Sequence, residues 1–285
     1  MIQIKHWTCF WVVLVMFFAC SANAQSVKLM TYNIRLDVAS DGENDWTHRR
    51  EFLLSQIKFY APDIFGTQEG LPHQIEFLQK NLANYGSEGV GREGGGKGES
   101  THIFYDKSKF SVTQSHTFWL STTPDTVSMG WDAACLRVCT AVLLKHRQTK
   151  QQCWVFNTHL DHIGETARQN SIDLILNKIA AFNVHKLPVI FMGDLNATPE
   201  SVVVSRLKED LRDTRELSEA KPFGPVGTFN GFKFMEPVTK LIDYIFVSQS
   251  SGIRVKKYAV LSDSQNLRYP SDHLPVFVAI EFAKR

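Results

Sequence analysis

Six polar islands, each set against a short apolar run, limit the folds open to this chain. They are Thr31-Tyr32-Asn33, Gln68-Glu69, Asn157-Thr158-His159-Leu160-Asp161, Gly193-Asp194-Leu195-Asn196, Ile242-Asp243-Tyr244 and Ser271-Asp272-His273. Carboxylates and imidazoles beside strand-like segments are costly to bury unless chemistry uses them. Any one island is ordinary, because Ser, Asp, Asn and His are common turn and cap residues. Their recurrence along one chain is what carries weight.

The runs between the islands have mixed periods. Val27 to Asn33 alternates as a strand, and Pro62 to Gln68 reads as a second short one. Trp46 to Tyr60, with Thr47 as its cap and Leu53, Leu54 and Ile57 apolar, predicts a helix, and another runs from Pro72 to Gln79. Gly86 to Gly98 is too rich in glycine for anything but a loop. Strands are expected at Thr101 to Tyr105, Phe110 to Phe118, Arg137 to Lys145 and Gln152 to Thr158, with a hairpin loop at His146 to Gln151. Ile172, Ile175, Leu176 and Ile179 share one helical face, and Pro199 is expected to start a further helix. Pro188 to Met192, Leu241 to Val247 and Val276 to Phe282 complete the strands. Hairpins mixed with helical crossovers predict mixed sheets covered by helices, an α/β class.

The first 24 residues read as a separate object. Lys5 and His6 precede the apolar run Trp11 to Cys20, and Ala22-Asn23-Ala24 supplies a small-x-small cleavage site, the pattern of a secretory signal peptide. The run is short for a membrane span, so a retained anchor is the weaker alternative. A lipid anchor at Cys20 is a second alternative, although Leu is missing three residues earlier. The expected location is therefore periplasmic or secreted, or else that of a lipoprotein. Residues 25–285 show no linker, repeat or composition shift and are expected to form one domain. Cys135, Cys139 and Cys153 lie in apolar runs without paired metal-ligand spacing, and are read as buried thiols rather than a zinc site. One disulfide among them is the alternative in an exported protein.

The polar groups suggest a chemistry. Asn33, Glu69, Asp194, Asn196, Asp243 and Asp272 offer oxygen, which suits Mg²⁺ or Mn²⁺, hard ions that bridge to phosphate oxygens. His159 and His273 add positioned donors. Phosphoryl chemistry uses this combination: a metal to neutralise charge, a carboxylate to orient water, and imidazoles to stabilise charged oxygens. There is no Walker loop, serine nucleophile elbow or cysteine nucleophile motif.

In order and local wording these segments resemble the endonuclease/exonuclease/phosphatase superfamily, from Tyr32-Asn33 through to Asp272-His273. The resemblance implies a DNase I-like four-layered α/β sandwich, two mixed and mostly antiparallel sheets flanked by helices, with the site at the strand ends. It implies Glu69 as the principal metal ligand, with Asn33 and Asp272 beside it. Asp194 would orient or deprotonate the attacking water, and Asn196 would hold substrate phosphate. His273, oriented by Asp243, and His159 would contact the phosphate from opposite sides. Two further roles are inferred directly from the chain: Glu99 orienting His159, and Arg137 clamping a phosphate oxygen. Asp161 is read equally as a ligand or as a holder of its own loop.

The substrate is less constrained. Lys and Arg number 31 against 29 Asp and Glu, giving a net charge of only +2 and no support for general nucleic-acid binding. A small or lipid-linked phosphate ester is therefore the expected substrate. The aromatic segments Thr117-Phe118-Trp119-Leu120, Gly130-Trp131-Asp132 and Gly227 to Phe234 are available to wall a pocket, although such runs are more often core. A secreted nuclease is the alternative. A non-catalytic binding module is disfavoured by the intact set of ligands and histidines.

Overall fold

In the computed structural model, residues 26–249 and 252–282 are described. The signal peptide, the retained-anchor alternative and the lipid-anchor reading of Cys20 all fall outside these residues. Among the described residues no helix is long and apolar enough to cross a membrane.

The first sheet contains β1 (Ser26–Asn33), β2 (Ile64–Gln68), β3 (Tyr85–Glu88), β4 (Ile103–Asp106), β11 (Ile253–Val260) and β12 (Val276–Phe282), in the order β11-β12-β1-β2-β4-β3. The second contains β5 (Phe110–Trp119), β6 (Val138–His146), β7 (Gln152–His159), β8 (Val189–Asp194), β9 (Leu211–Asp213) and β10 (Asp243–Ser248), in the order β5-β6-β7-β8-β10-β9. Each sheet has one parallel pair, β1 with β2 and β7 with β8, and its other pairs are antiparallel. Each parallel pair needs a long crossover. The helices α1 (Trp46–Tyr60) and α3 (Glu165–Phe182) supply them.

Period-two alternation sends one face of each strand toward the facing sheet. Leu29, Ile64, Val142, Val155, Ile190, Ile245, Val278 and Ile280 meet there in one apolar cluster. The opposite faces are also apolar, so a helical layer covers each. Met30, Phe65 and Phe104 pack with Leu53, Leu54 and Ile57 of α1 and with Ile75 and Leu78 of α2 (Pro72–Asn81). Phe156, Phe191 and Phe246 pack with Ile172 and Ile175 of α3 and with Leu207 of α4 (Val202–Asp210). The result is a four-layered α/β sandwich with the DNase I-like arrangement.

Several local expectations are corrected. The N-cap of α1 is Asp45, whose carboxylate accepts the His48 amide, while the Thr47 hydroxyl donates to that same carboxylate. The helix expected at Pro199 begins three residues later, because the Ser201 side chain accepts the Val204 amide and sets the cap. The start of the glycine-rich stretch is the edge strand β3, since Gly86 and Ser87 pair with Tyr105 and Phe104. Cys135 lies partly exposed ahead of β6 and not in a strand, whereas Cys139 and Cys153 are buried; all three thiols are free.

Candidate active site

The parallel pairs place the islands together. Asn33 ends β1, Glu69 follows β2, His159 ends β7 and Asp194 ends β8. Asp243 begins the antiparallel β10, and Asp272-His273 precede the antiparallel β12, so all six segments open at one rim. Register completes the placement: Asp194 lies beside His159 on one strand and Asp243 on the other. Close approach of β7 to β8 requires Gly193, where a Cβ would fall 2.0 Å from the Thr158 carbonyl oxygen. Glu69, Asn196 and Arg35 adopt left-handed backbone at φ 63°, 46° and 55°, a conformation that non-glycine residues keep mainly where surroundings enforce it.

Asp194 is the hub. One carboxylate oxygen accepts the Asn196 backbone amide at 2.9 Å. The other accepts the Asn33 side-chain amide at 3.0 Å and lies 3.5 Å from His159 Nε2 and 3.7 Å from His273 Nε2. Burial and the nearby Asp243 charge raise its pKa, while His273 and the amide donors pull partly the other way. Such a carboxylate is a stronger base than an exposed one.

The two imidazoles have opposite environments. His273 Nδ1 lies 2.9 Å from Asp243 Oδ2. Burial opposes a charge on this ring, but Asp243 and Asp194 outweigh it and hold the pKa well above its ordinary value. His159 has its pKa held well below the usual range, first by burial and then by Arg137 and His273. The Asn196 side-chain amide lies 3.0 Å from His159 Nε2 and donates to the Leu160 carbonyl at 3.1 Å. A neutral His159 with Nε2 accepting from Asn196 keeps its ring proton on Nδ1.

Glu69, Asp194 and His273 offer ligand atoms that lie within 4.8 Å of one another. Asp272 stands beside them; burial raises its pKa, His273 lowers it and the Glu69 charge raises it again. The Arg35 guanidinium, paired to Asp41 at 2.9 Å through both Nε and Nη2, reaches 3.9 Å from Glu69 and 3.8 Å from Asp272. These crowded carboxylates call for added positive charge, and their hard oxygen donors fit Mg²⁺ or Mn²⁺. Asn33 presents its amide nitrogen to Glu69 and Asp194, while its carbonyl oxygen accepts the Arg35 amide at 3.0 Å. Its use as an oxygen ligand requires that amide to turn.

Two of the further assignments change. Glu99 does not orient His159: its carboxylate pairs with Arg92 at 2.6 Å, because the hairpin linking them also joins Arg92 and Glu99 through the backbone. Arg137 lines the same small recess as Glu69, Glu99 and His159, but its guanidinium is held by Asp161 and by His162 Nδ1 at 3.4 and 3.0 Å. Asp161 holds its own loop, accepting the Ile163 and Gly164 amides at 3.0 and 2.8 Å. Burial works against its charge, but these amides, that of Ala134 and Arg137 bring its pKa down to about 2. Cys135, Asp161 and His162 do converge in space, contrary to what their sequence spacing suggests. The Asp161 oxygens and His162 Nδ1 are already engaged by Arg137 and backbone amides. Asn157 and Gln68 bond to each other at 2.7 Å between the sheets, away from the rim. Gly66 makes room for them, since a Cβ there would meet Asn157 at 2.6 Å.

Sequence reasoning passed over Thr228 and Asn230. The Thr228 hydroxyl donates to Asp243 Oδ2 at 2.5 Å and accepts the Ile242 and Asp243 amides. Asn230 donates its side-chain amide to the Ser271 carbonyl at 3.0 Å and its backbone amide to the Asp272 carbonyl at 2.8 Å. The available signal was the alternation of small polar residues with aromatics from Gly227 to Phe232.

Comparison with known proteins gives the family. Residues 30–273 match the Endonuclease/Exonuclease/phosphatase family. A protein of that family from Bacteroides thetaiotaomicron has 35% sequence identity and a TM-score of 0.86, over 91% of this chain and 99% of that one. The mannosyl-6-phosphatase Bt3783 from the same organism has 36% identity and a TM-score of 0.84, over 90% of this chain and all of that one. Nocturnin from Rattus norvegicus is 23% identical over 92% of this chain and 67% of its own length. With the family match spanning almost all of the described strands, this chain belongs to the endonuclease/exonuclease/phosphatase family and is a phosphoester hydrolase.

Proposed function

We propose that this protein is an exported, divalent-metal-dependent phosphatase acting on a small phosphate ester, with a sugar phosphate as the favoured class. The observation that carries the reaction is Asp194, a buried carboxylate of raised pKa set 3.5 and 3.7 Å from two imidazoles of opposite character. Glu69, Asp272 and Asn33 would hold Mg²⁺ or Mn²⁺. The bound ion supplies charge neutralisation at the phosphate. Asp194 orients the attacking water and takes its proton. Protonated His273, fixed by Asp243, donates to one side of the phosphate. His159, neutral with Nε2 accepting from Asn196, would offer its Nδ1 proton to the other side, and Asn196 would reach the phosphate by giving up its bond to the Leu160 carbonyl.

The substrate reading rests on three supports. The near-neutral chain has little to hold a polynucleotide. Arg35, 3.9 Å from Glu69 and 3.8 Å from Asp272, is a guanidinium at the rim that could shift from these carboxylates toward the extra charge of a monoester. The similarity to a mannosyl-6-phosphatase points the same way. Export rests on the charge, apolar run and cleavage pattern of residues 1–24.

The test is a panel of mannose 6-phosphate, p-nitrophenyl phosphate, bis(p-nitrophenyl) phosphate, sphingomyelin, RNA and DNA, with Mg²⁺, Mn²⁺ or chelator. Metal-dependent release of phosphate from the monoesters is expected. Greater turnover on RNA or DNA would replace this reading with that of a secreted nuclease, and undiminished turnover in chelator would remove the metal from it.

A further inference from the structure

We propose that Arg49, outside the rim on α1, is a positioning residue that fixes the spacing between the two segments carrying the metal-side oxygens. The inference rests on the reading of Glu69, Asp272 and Asn33 as that oxygen set. Arg49 is only 5% exposed, and among the described residues no carboxylate lies within ion-pair distance of it. An arginine buried without a counter-charge is expensive to keep.

Its partners are all main-chain carbonyls. Nε donates to Asn44 at 2.9 Å. Nη1 donates to Ile34 and, at 3.3 Å, to Pro270. Nη2 donates to Arg35 at 2.6 Å and to Leu36 at 3.4 Å. A guanidinium has five N–H groups in a fixed fork, and here each has a carbonyl. The ring of Trp46 lies 5.1 Å from the guanidinium carbon, and that of Phe232 lies 6.0 Å from it.

The identity of those carbonyls gives the arrangement its meaning. Residues 34–36 follow Asn33 directly and include the left-handed Arg35. The Leu36 amide donates to Glu69 at 3.0 Å, so this turn also holds the principal carboxylate. Pro270 immediately precedes Ser271-Asp272-His273, and the Ser271 hydroxyl closes the same gap by donating to the Asn33 carbonyl at 2.7 Å. Arg49 therefore joins the turn after β1 to the turn before β12, two segments more than 200 residues apart in the chain. A filler of the core could be apolar; this side chain is the cross-brace between the two halves of the oxygen set.

The test measures Mg²⁺ and Mn²⁺ binding to the mature chain by calorimetry, and the metal-induced rise in Tm, for wild type, Arg49→Gln, Arg49→Lys and Leu207→Ala. Leu207 belongs to the cluster under the other sheet, so its truncation lowers stability far from the rim. Both Arg49 variants are expected to bind metal at least about tenfold more weakly, with kcat largely recovered at saturating metal. Leu207→Ala is expected to keep wild-type metal affinity. Arg49→Lys, which keeps the charge but offers three donors instead of five, decides the matter if Arg49→Gln does not fold. Metal affinity within twofold of wild type in a folded Arg49 variant would overturn the inference, as would equal weakening in Leu207→Ala. Absence of metal binding by the wild type would overturn the metal reading itself, a result distinct from weakening confined to the variants.

Discussion

His273 Nδ1 and the Thr228 hydroxyl share one acceptor, Asp243 Oδ2, at 2.9 and 2.5 Å. Because Thr228 also accepts two backbone amides, its hydroxyl proton has one direction left, toward the carboxylate. Thr228 thereby sets the rotation of Asp243, and Asp243 sets the ring of His273. Replacing Thr228 by Val removes that donor and keeps the shape. We expect kcat to fall about tenfold with KM little changed, and Asp243→Asn to cost about a thousandfold or more. Steady-state kinetics on p-nitrophenyl phosphate would check both; an unchanged kcat in Thr228→Val would remove the relay.

The pH profile should be a bell displaced to the alkaline side of neutrality. Asp194 must lose its proton to act as a base, and burial beside Asp243 raises the pH at which it does so. His273 must keep its proton to donate, and the Asp243 and Asp194 charges raise the pH at which it is lost. Asp243→Asn removes an anion from beside the imidazolium, so the alkaline limb should move to lower pH. A limb that stays in place would separate His273 from the titration.

Salt dependence distinguishes the substrate classes. A small ester should be hydrolysed at nearly the same kcat/KM in 50 and 200 mM salt, up to modest screening. A polynucleotide substrate would lose affinity by orders of magnitude over that range, because each neutralised phosphate releases counterions. A steep loss in this assay would favour the nuclease reading.

Acid should destabilise the fold through His102, which lines the recess beside the glycine-rich hairpin and bonds to the Ser100 hydroxyl at 2.8 Å. Burial lowers its pKa to about 4. The folded state therefore binds the proton less readily than the unfolded one, whose imidazole titrates near 6.5. The stability this group confers is intact above that value and is lost as pH falls from about 6.5 through about 4. The loss should be about 2 kcal/mol, less than the full shift implies because the ring is partly exposed. Urea unfolding of wild type and His102→Gln at pH 7 and pH 4.5 would show it as a smaller difference between the two pH values in the variant.

Much of the architecture was legible in the chain because it rests on local period. The alternation of Val27 to Asn33 and the helical face of Ile172, Ile175 and Leu176 both appear at their expected places. The strands missed, β3, β9 and β11, lack such a signal: β3 lies at the start of the glycine-rich stretch. Leu211–Asp213 has three residues, and Ile253–Val260 carries Arg254, Lys256 and Lys257 on an edge strand whose pairing to β12 shifts register. Charged, irregular edges guard against unwanted pairing, and that function hides them from a pattern search.

The site divides in the same way. The sequence by itself determined which groups reach the rim, because Asn33, Glu69, His159, Asp194, Asp243 and Asp272-His273 sit at the ends of strands whose hydrophobic runs leave them no other place. Tertiary structure decided what each group touches. Glu99 turned to Arg92, Arg137 to Asp161 and His162, and Arg49 to carbonyls on both sides of the oxygen set. A strand end follows from the period of a few residues. A hydrogen-bond partner depends on sheet register and loop path, and those are fixed only when segments far apart in the chain pack together.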